Sequence, residues 1–584
     1  MLDTFEPSQL HVSLTRSARS PISHRFRPGS LLQEARGRLR DGDERLRAFL
    51  SASRGGFVLV VSAALLLLYN FAFWRESASA LGGARPASVA FLVALGTILI
   101  TLHALILFAL PGRRTAPLVA AALFTLAATV AYFSNTYGVY FDHAMMRNIF
   151  ESDRAEIHDL LRGKFFVYLT AFGALPASIA GRVVLPAQSW RSRLRVSAAA
   201  LGGGLALVAM LALGFSAHLA SYLREHKPLR YLINPANVVY GTVSYAIETT
   251  EGTRPFVDTE GRVERIAAAQ APKPLLVFLV VGETARAANF ELDGYARPTN
   301  PRLRRMDDVV SFREVHSCGT STATSVPCMF SHLGREAFDP DQARAASNLL
   351  DAVQHGGVSV EWRENNTGCK HLCERVQRVA YAGGGQGDCA GAHCFDAVMT
   401  EGLREQLRGA AGDTLIVFHQ SGSHGPAYAE RYPRSFETFT PVCRSADLGR
   451  CERSAVVNAY DNTIVYTDHV LAQDIELLKS LAAQYDSLLI YVSDHGESLG
   501  ENGIYLHAAP YFIAPEEQTH VPLLMWMSEG YLARSQIDMA CVRARAAQPA
   551  SHDDLYHTVL AALGLRSDLY RRDLDLLGAC RARW

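Results

Sequence analysis

The chain has 584 residues, with 57 Lys plus Arg balanced by 57 Asp plus Glu. That length allows several packed domains, and the neutral total excludes a charge-driven role in binding nucleic acid or a strongly acidic partner. The distribution along the chain says more than the total.

The first fifty residues are rich in arginine (Arg16, Arg19, Arg25, Arg27, Arg36, Arg38, Arg40, Arg45, Arg47) and lack a long apolar run. Apolar stretches begin only near residue 55, too late for a cleaved signal peptide. Five follow, at roughly 55–73, 87–110, 117–134, 165–181 and 196–218. Each is near the length of a helix that crosses about 30 Å of hydrocarbon, where backbone groups must be satisfied internally. The fourth is short and contains Pro176. The Arg-rich start, Arg113 and Arg114, and Arg182, Arg191, Arg193 and Arg195 fall on one side of an alternating path, which is expected to be cytoplasmic. Five crossings put everything after about residue 220 outside. Between the third and fourth spans, Asn148, Ser152 and Glu156 are spaced as one polar stripe of a helix, either a solvated face or a contact for a lipid headgroup. Residues 219–270 mix apolar and polar residues at helical spacing, broken at Pro228 and Pro235, and read as an interfacial segment.

From about residue 272 the pattern changes. "PLLVFLVVGE", "DTLIVFHQSG", "DSLLIYVSDHGE" and "THVPLLMWM" are short and nearly all apolar, as strands covered on both faces are. Helical stretches at 343–355, 393–408, 454–483 and 553–563 supply covering layers, so a three-layer α/β/α sandwich is expected. The chain then divides into an Arg-rich extension (1–50), a five-helix transmembrane domain (51–220), an interfacial connector (221–270) and an extracytoplasmic catalytic domain (271–584). All ten cysteines lie in this last part. Their close spacing suggests disulfides Cys318–Cys328, Cys369–Cys373, Cys389–Cys394 and Cys443–Cys451, formed in an oxidising compartment, while the pairing of Cys541 and Cys580 stays open. A zinc knuckle of Cys369, Cys373, Cys389 and Cys394 is the competing reading.

Ligands in open α/β sheets bind beyond the carboxyl ends of strands. Glu283, Asp494 with His495, and His419 with His424 follow the proposed strands, and His507 comes soon after. One histidine there is an ordinary loop residue, but carboxylates and imidazole together suit zinc. The segment "HSCGTSTATSVPCMFS" sets small hydroxyl residues between two cysteines, and the physics alone does not choose among Thr320, Ser321, Thr322, Thr324 and Ser325.

The chain resembles the lipid A phosphoethanolamine transferases, a family that includes the mobile colistin-resistance enzymes and belongs to the alkaline phosphatase and sulfatase superfamily. The resemblance rests on "NTYGVYFD", "NIFESDRAE", "VVGETARAANFELDGYARPTNPRL", "SCGTSTATSVPCMFS", "NNTGCK", "VFHQSGSHGPAYAERYP", "YDNTIVYTDHVLAQDIELL" and "YVSDHGESLGENGIYLHAAPYFIAPEEQTHVPLLMW". It implies an alkaline phosphatase-like sandwich behind a five-helix bundle, with Thr322 as nucleophile. Glu283, Asp494 and His495 join Thr322 around one tightly held Zn2+. His424 and His507 take phosphoryl-binding positions, which in some members hold a second zinc, and Asn366 and Lys370 form a substrate-contacting pair. Lys370, His424 and His507 are placed for charge balance or proton exchange. Asn148, Ser152 and Glu156 align with headgroup-binding residues, with serine where threonine is usual at 152.

The implied reaction moves phosphoethanolamine from phosphatidylethanolamine to a phosphate of lipid A through a phosphoethanolamine-threonine intermediate and releases diacylglycerol. It implies a multi-pass bacterial inner-membrane monomer with its catalytic domain in the periplasm, no nucleic acid partner, and weaker attraction of the cell surface for polymyxin. An acceptor on a lipopolysaccharide core sugar or periplasmic glycan is the alternative. The segment argues against a sulfatase, because Cys318 is followed by "GTST" and not by the Cys/Ser-x-Pro-x-Arg pattern that formylglycine formation needs.

Overall fold

The computed structural model describes residues 53–81, 85–151, 157, 160–161, 163–250, 256–266, 273–381, 389–390, 393–409, 412–446 and 448–581. The Arg-rich extension, Ser152 and Glu156 lie outside the described residues.

The first expected span is two helices, α1 (Arg54–Leu68) and α2 (Phe71–Ala80), bent by 63°. Asn70 stands at the bend, and its Nδ2 donates to Leu65 O at 2.9 Å and to Asn234 O at 2.8 Å. α3 (Pro86–Ala109) starts on a proline, whose missing N–H costs nothing in a first turn. α4 (Thr115–Tyr137) stops at Gly138, which takes a left-handed φ of 75°. α5 (His143–Glu151) follows. α6 (Gly163–Gly181) widens to a π-helical turn at Leu169–Ala174, just before Pro176, which has no N–H to donate. α7 (Trp190–Gly214) buries no residue and packs against α3. By length and apolarity, α3, α4, α6 and α7 can each cross a membrane, and α1 with α2 adds a fifth span if the bent pair counts as one. α8 (Ser216–Glu225) and α9 (Ala236–Thr250) form the connector, and α9 lies against α5.

The second half is built on a sheet of seven strands: β1 (Leu275–Gly282), β2 (Val309–Phe312), β3 (Ser359–Glu364), β4 (Gln377–Ala380), β5 (Thr414–His419), β6 (Asp486–Ser493) and β7 (Leu523–Met527). Their order is β2-β7-β6-β1-β5-β3-β4. Pairings β6–β1, β1–β5, β5–β3 and β3–β4 are parallel, whereas β7 is antiparallel to both neighbours. Successive β1 side chains enter opposite cores. Leu275, Val277, Leu279 and Val281 pack with α11 (Leu349–His355) and α13 (Leu555–Ala562). Leu276, Phe278 and Val280 pack with α12 (Arg453–Ser480). Such full burial of both faces explains the uninterrupted apolar runs.

Two local expectations change. The helix expected at 343–355 is cut by Asn348, whose side chain caps α11 in a capping box with Asp351. The stretch 393–408 begins as a short strand, His393–Cys394, that pairs Cys389–Ala390. Disulfides join Cys318 to Cys328, Cys369 to Cys373, Cys443 to Cys451 and Cys541 to Cys580. The Cys369–Cys373 bridge removes two of the four thiolates that a zinc knuckle needs. Cys394 is also disulfide-bonded and stands opposite Cys389 in the ladder, although the Cys389 side chain lies outside the described residues.

Candidate active site and metal centre

Sheet order brings the site together. β1 lies between β6 and β5, with β3 beyond β5, so the residues that follow these parallel strands emerge on one edge. Glu283 leaves β1, Asp494 and His495 leave β6, and His419 and Asn366 come from β5 and the turn after β3. One ligand atom from each of Glu283, Asp494 and His495 lies within 4.8 Å of the others, and all three residues are fully buried. His495 Nε2 is 3.5 Å from Glu283 Oε1 and 3.4 Å from Asp494 Oδ2. Thr322 Oγ1 donates to Glu283 Oε2 at 3.0 Å and lies 3.3 Å from His495 Nε2.

These atoms fit a divalent cation. Glu283 Oε1 and Asp494 Oδ2 are buried without a hydrogen bond, a costly state for two carboxylates unless a cation satisfies both. Burial and the facing Glu283 push the Asp494 carboxyl up, as expected when two acids share a dry site. His495 Nδ1 lies 2.9 Å from Gly496 O, which places its proton there and leaves Nε2 as a lone pair toward the carboxylates.

Thr322 is the first residue of α10 (Thr322–Met329) and follows Ser321, which has the extended backbone of an N-cap. In that first turn Thr324 N and Ser325 N both donate to Ser321 O, at 3.1 and 2.8 Å. The Cys318–Cys328 bridge encloses the turn. Behind α10, Ser325 Oγ donates to Asp494 O at 2.5 Å. His552 Nδ1 accepts from Cys318 N at 3.1 Å, while its Nε2 faces Ser493 O at 2.9 Å. Burial lowers His552 to about 3, so it stays a neutral pin between α10 and β6.

A second set of groups borders this point. His507 rings stand 4.5 Å from His495 and 5.2 Å from His424, centroid to centroid. His507 Nδ1 lies 3.3 Å from the buried Glu497 carboxylate. Leu506 and Ala508 on either side of it hold left-handed φ of 65° and 66°, a strained turn for residues with a Cβ. Gln518 stabilises the turn, donating to Leu506 O at 3.0 Å and accepting from Ala509 N at 3.1 Å. Asn366 Nδ2 donates to Glu283 Oε2 at 2.6 Å and sits 3.2 Å from His419 Nε2, whose Nδ1 faces Glu364 at 3.1 Å.

Lys370 is not drawn into the cluster. Its Nζ turns back on Thr367 O and Oγ1 at 3.2 and 3.1 Å. Asn148 is half-buried on α5, which packs against α10, so the membrane portion reaches the Thr322 helix directly. Sequence reasoning singled out Glu283, Thr322, Asp494, His495, His424 and His507, which converge. It missed Glu497, Glu364 and Gln518, although Glu497 stands in the "SDHGE" run and Glu364 ends a strand, the two signals that marked their neighbours.

A family model described as Phosphoethanolamine transferase EptA/EptB matches residues 99–250, and one described as Sulfatase matches residues 276–565. The chain is 39% identical over 466 residues to phosphoethanolamine transferase EptA of Escherichia coli (strain K12), covering 79% of this chain and 85% of that protein. It is 40% identical over 421 residues to phosphatidylethanolamine transferase Mcr-1 of Escherichia coli, covering 69% and 77%. The solved integral membrane protein lipooligosaccharide phosphoethanolamine transferase A from Neisseria meningitidis superposes with a TM-score of 0.86 at 33% identity, over 91% of this chain and 99% of that one.

Proposed function

The chain belongs to the phosphoethanolamine transferase EptA/EptB family, and from that membership we propose a zinc-dependent transfer in which Thr322 carries the group. The enzyme transfers phosphoethanolamine to lipid A, as an integral membrane protein with a sulfatase-type soluble domain. The reading is carried by one observation: Glu283, Asp494, His495 and the Thr322 hydroxyl meet at a buried point where two carboxylate oxygens lack hydrogen bonds.

In this reading residues 51–220 form five spans in the bacterial inner membrane, 221–270 an interfacial connector, and 271–584 a periplasmic α/β/α sandwich of alkaline phosphatase-like type; the protein acts as a monomer. Glu283, Asp494, His495 and Thr322 would hold one Zn2+, which when bound would lower the pKa of a coordinated hydroxyl and offset negative charge near phosphorus. Thr322 Oγ attacks the phosphorus of phosphatidylethanolamine. The Oγ–P bond forms as Thr322 gives up its hydroxyl proton, the bond from phosphorus to the glycerol oxygen breaks, and diacylglycerol leaves with that proton, relayed by His424 or His507. A phosphate oxygen of lipid A then attacks the same phosphorus and gives up its proton, the Oγ–P bond breaks, and Thr322 Oγ takes that proton and is regenerated. Asn366 holds Glu283 in register, and Lys370 swings from Thr367 to the phosphoryl oxygens when substrate enters. Asn148, Ser152 and Glu156 receive the ethanolamine headgroup.

The added amine offsets phosphate charge on the cell surface, which weakens the attraction for cationic peptides such as polymyxin. Mass spectrometry of lipid A from cells expressing the wild type or Thr322→Ala tests the reading. A mass increment of one phosphoethanolamine in the first and none in the second is expected. The same increment in both would remove Thr322 from the mechanism, and an increment found only on core sugars would replace the acceptor.

A further inference from the structure

Away from the Thr322 site, a cavity of about 80 Å³ lies where the bundle meets the catalytic domain, lined by Arg75, Glu76, Ser134, Gly138, Tyr140 and Ile504 among others. Its walls come from the middle of α2 and the C-terminal end of α4. Arg75 Nε donates to Glu76 Oε1 at 2.9 Å. The terminal guanidinium nitrogens of Arg75, the second Glu76 oxygen and the Tyr140 hydroxyl make no hydrogen bond among the described residues. Arg75 and Glu76 are 47% and 34% exposed, so they are reachable without unfolding any element. Burial and Glu76 push Tyr140 up to about 12, which keeps its hydroxyl a neutral donor beside the two charges.

A cation, an anion and a neutral hydroxyl around one small cavity complement a zwitterion, not a simple anion or cation. We propose that this cavity is an accessory site for the headgroup of a zwitterionic phospholipid, with its phosphate on Arg75 and its ammonium on Glu76. The chain's own architecture selects a lipid over a soluble zwitterion, because Ser134 and Gly138, which line the cavity, stand at the end of α4, a helix long and apolar enough to cross a membrane. The site also touches catalysis. Ile504 packs against Gly138, where an added Cβ would lie 3.4 Å from Ile504 Cα, and Ile504 is three residues before His507 on the same loop. A bound headgroup would therefore brace the loop that presents His507.

The proposal rests on the membrane reading of the bundle but not on the chemistry of Thr322, so the test uses full-length Thr322→Ala protein. That protein is placed in nanodiscs of mixed phosphatidylethanolamine and phosphatidylglycerol, and retained lipids are counted by native mass spectrometry. Arg75→Gln and Glu76→Gln should each retain one phosphatidylethanolamine fewer, with roughly tenfold lower occupancy. Arg75→Lys and Glu76→Asp should keep it, and all four variants should melt with their parent. Unchanged phosphatidylethanolamine counts in both glutamine variants would overturn the site. So would equal retention of phosphatidylglycerol there, or displacement of the lipid by soluble phosphoethanolamine at comparable concentration. None of these outcomes bears on whether Thr322 is the nucleophile.

Discussion

Gly422 shows how tightly a single residue holds Glu283, the candidate metal ligand. Its φ is +51°, and a Cβ there would lie 2.6 Å from Glu283 O and 2.9 Å from Glu283 N. Gly422→Ala must either strain its own backbone or push Glu283 off the point it shares with Asp494 and His495. A strain of about 1–3 kcal/mol is involved, so we expect bound zinc and transfer rate to fall by roughly tenfold or more. Elemental analysis of the purified variant alongside the transfer assay checks this, and a fully metallated, fully active variant would count against it. His552 sets a second expectation. Its folded pKa is depressed by burial to about 3, against an ordinary value of 6.5. The unfolded chain therefore binds a proton that the folded chain refuses between those values, and stability is lost as pH falls below 6.5. The slope for this one group is about 1.4 kcal/mol per pH unit. Thermal melts from pH 7 to pH 5 should show this fall, and His552→Asn, less stable at pH 7, should show a shallower one. The residues that converge on the candidate metal point were legible because each ends an apolar strand or belongs to a motif. Glu364, Glu497 and Gly422 were not, because their roles depend on which strands become neighbours, and chain order does not say that β1 runs between β6 and β5.

Among elements, the bend between α1 and α2 has an identifiable cause. Asn70 and Asn234 are almost fully buried in a helical bundle, and across 164 positions of sequence the Asn70 side chain donates to Asn234 O and accepts from Asn234 N. Asn234 Nδ2 also reaches Tyr69 O at 3.1 Å and Ala127 O at 2.8 Å, so one side chain ties the bend, α4 and the connector together. Each buried group left unsatisfied costs about 1–3 kcal/mol. Asn234→Ala and Asn70→Ala should each lower the melting temperature in detergent, and the double variant should cost less than the sum because the two share one network. Strict additivity would mean that the two asparagines act independently. Hydropathy marked a span at 55–73 but could not mark this bend, since an asparagine in an apolar run reads as a minor interruption until its partner from residue 234 is known. The direction of β7 was equally hidden: a strand buried on both faces has the same apolar composition whichever way it runs.

At the scale of the whole molecule, bundle and catalytic domain share a core. Tyr132, Tyr137 and Phe165 pack into the cluster that also holds Phe278, Phe418 and Tyr460, and Tyr137 donates from its hydroxyl to Ala446 O at 3.3 Å. On the other side of the site, Val130, Phe141, Met145 and Met146 pack with Ala508, the residue after His507. The membrane portion thus supports the turn that presents His507, and α5 supports the helix that presents Thr322. A mere anchor would need neither contact. Residues 271–584 alone keep the candidate ligands Glu283, Asp494 and His495 and the four described disulfides, so under the proposed function that piece should still bind zinc. Its transfer from phosphatidylethanolamine in mixed micelles should fall by at least about 100-fold relative to the full chain, because both the lipid and the His507 turn lose their support. A short-chain soluble phosphatidylethanolamine separates the two causes. If only lipid delivery is lost, the piece should match the full chain on the soluble donor; the packing of Ala508 and Tyr137 argues that it will remain slower on both. Equal rates for piece and full chain on the micellar donor would reduce the bundle to a tether.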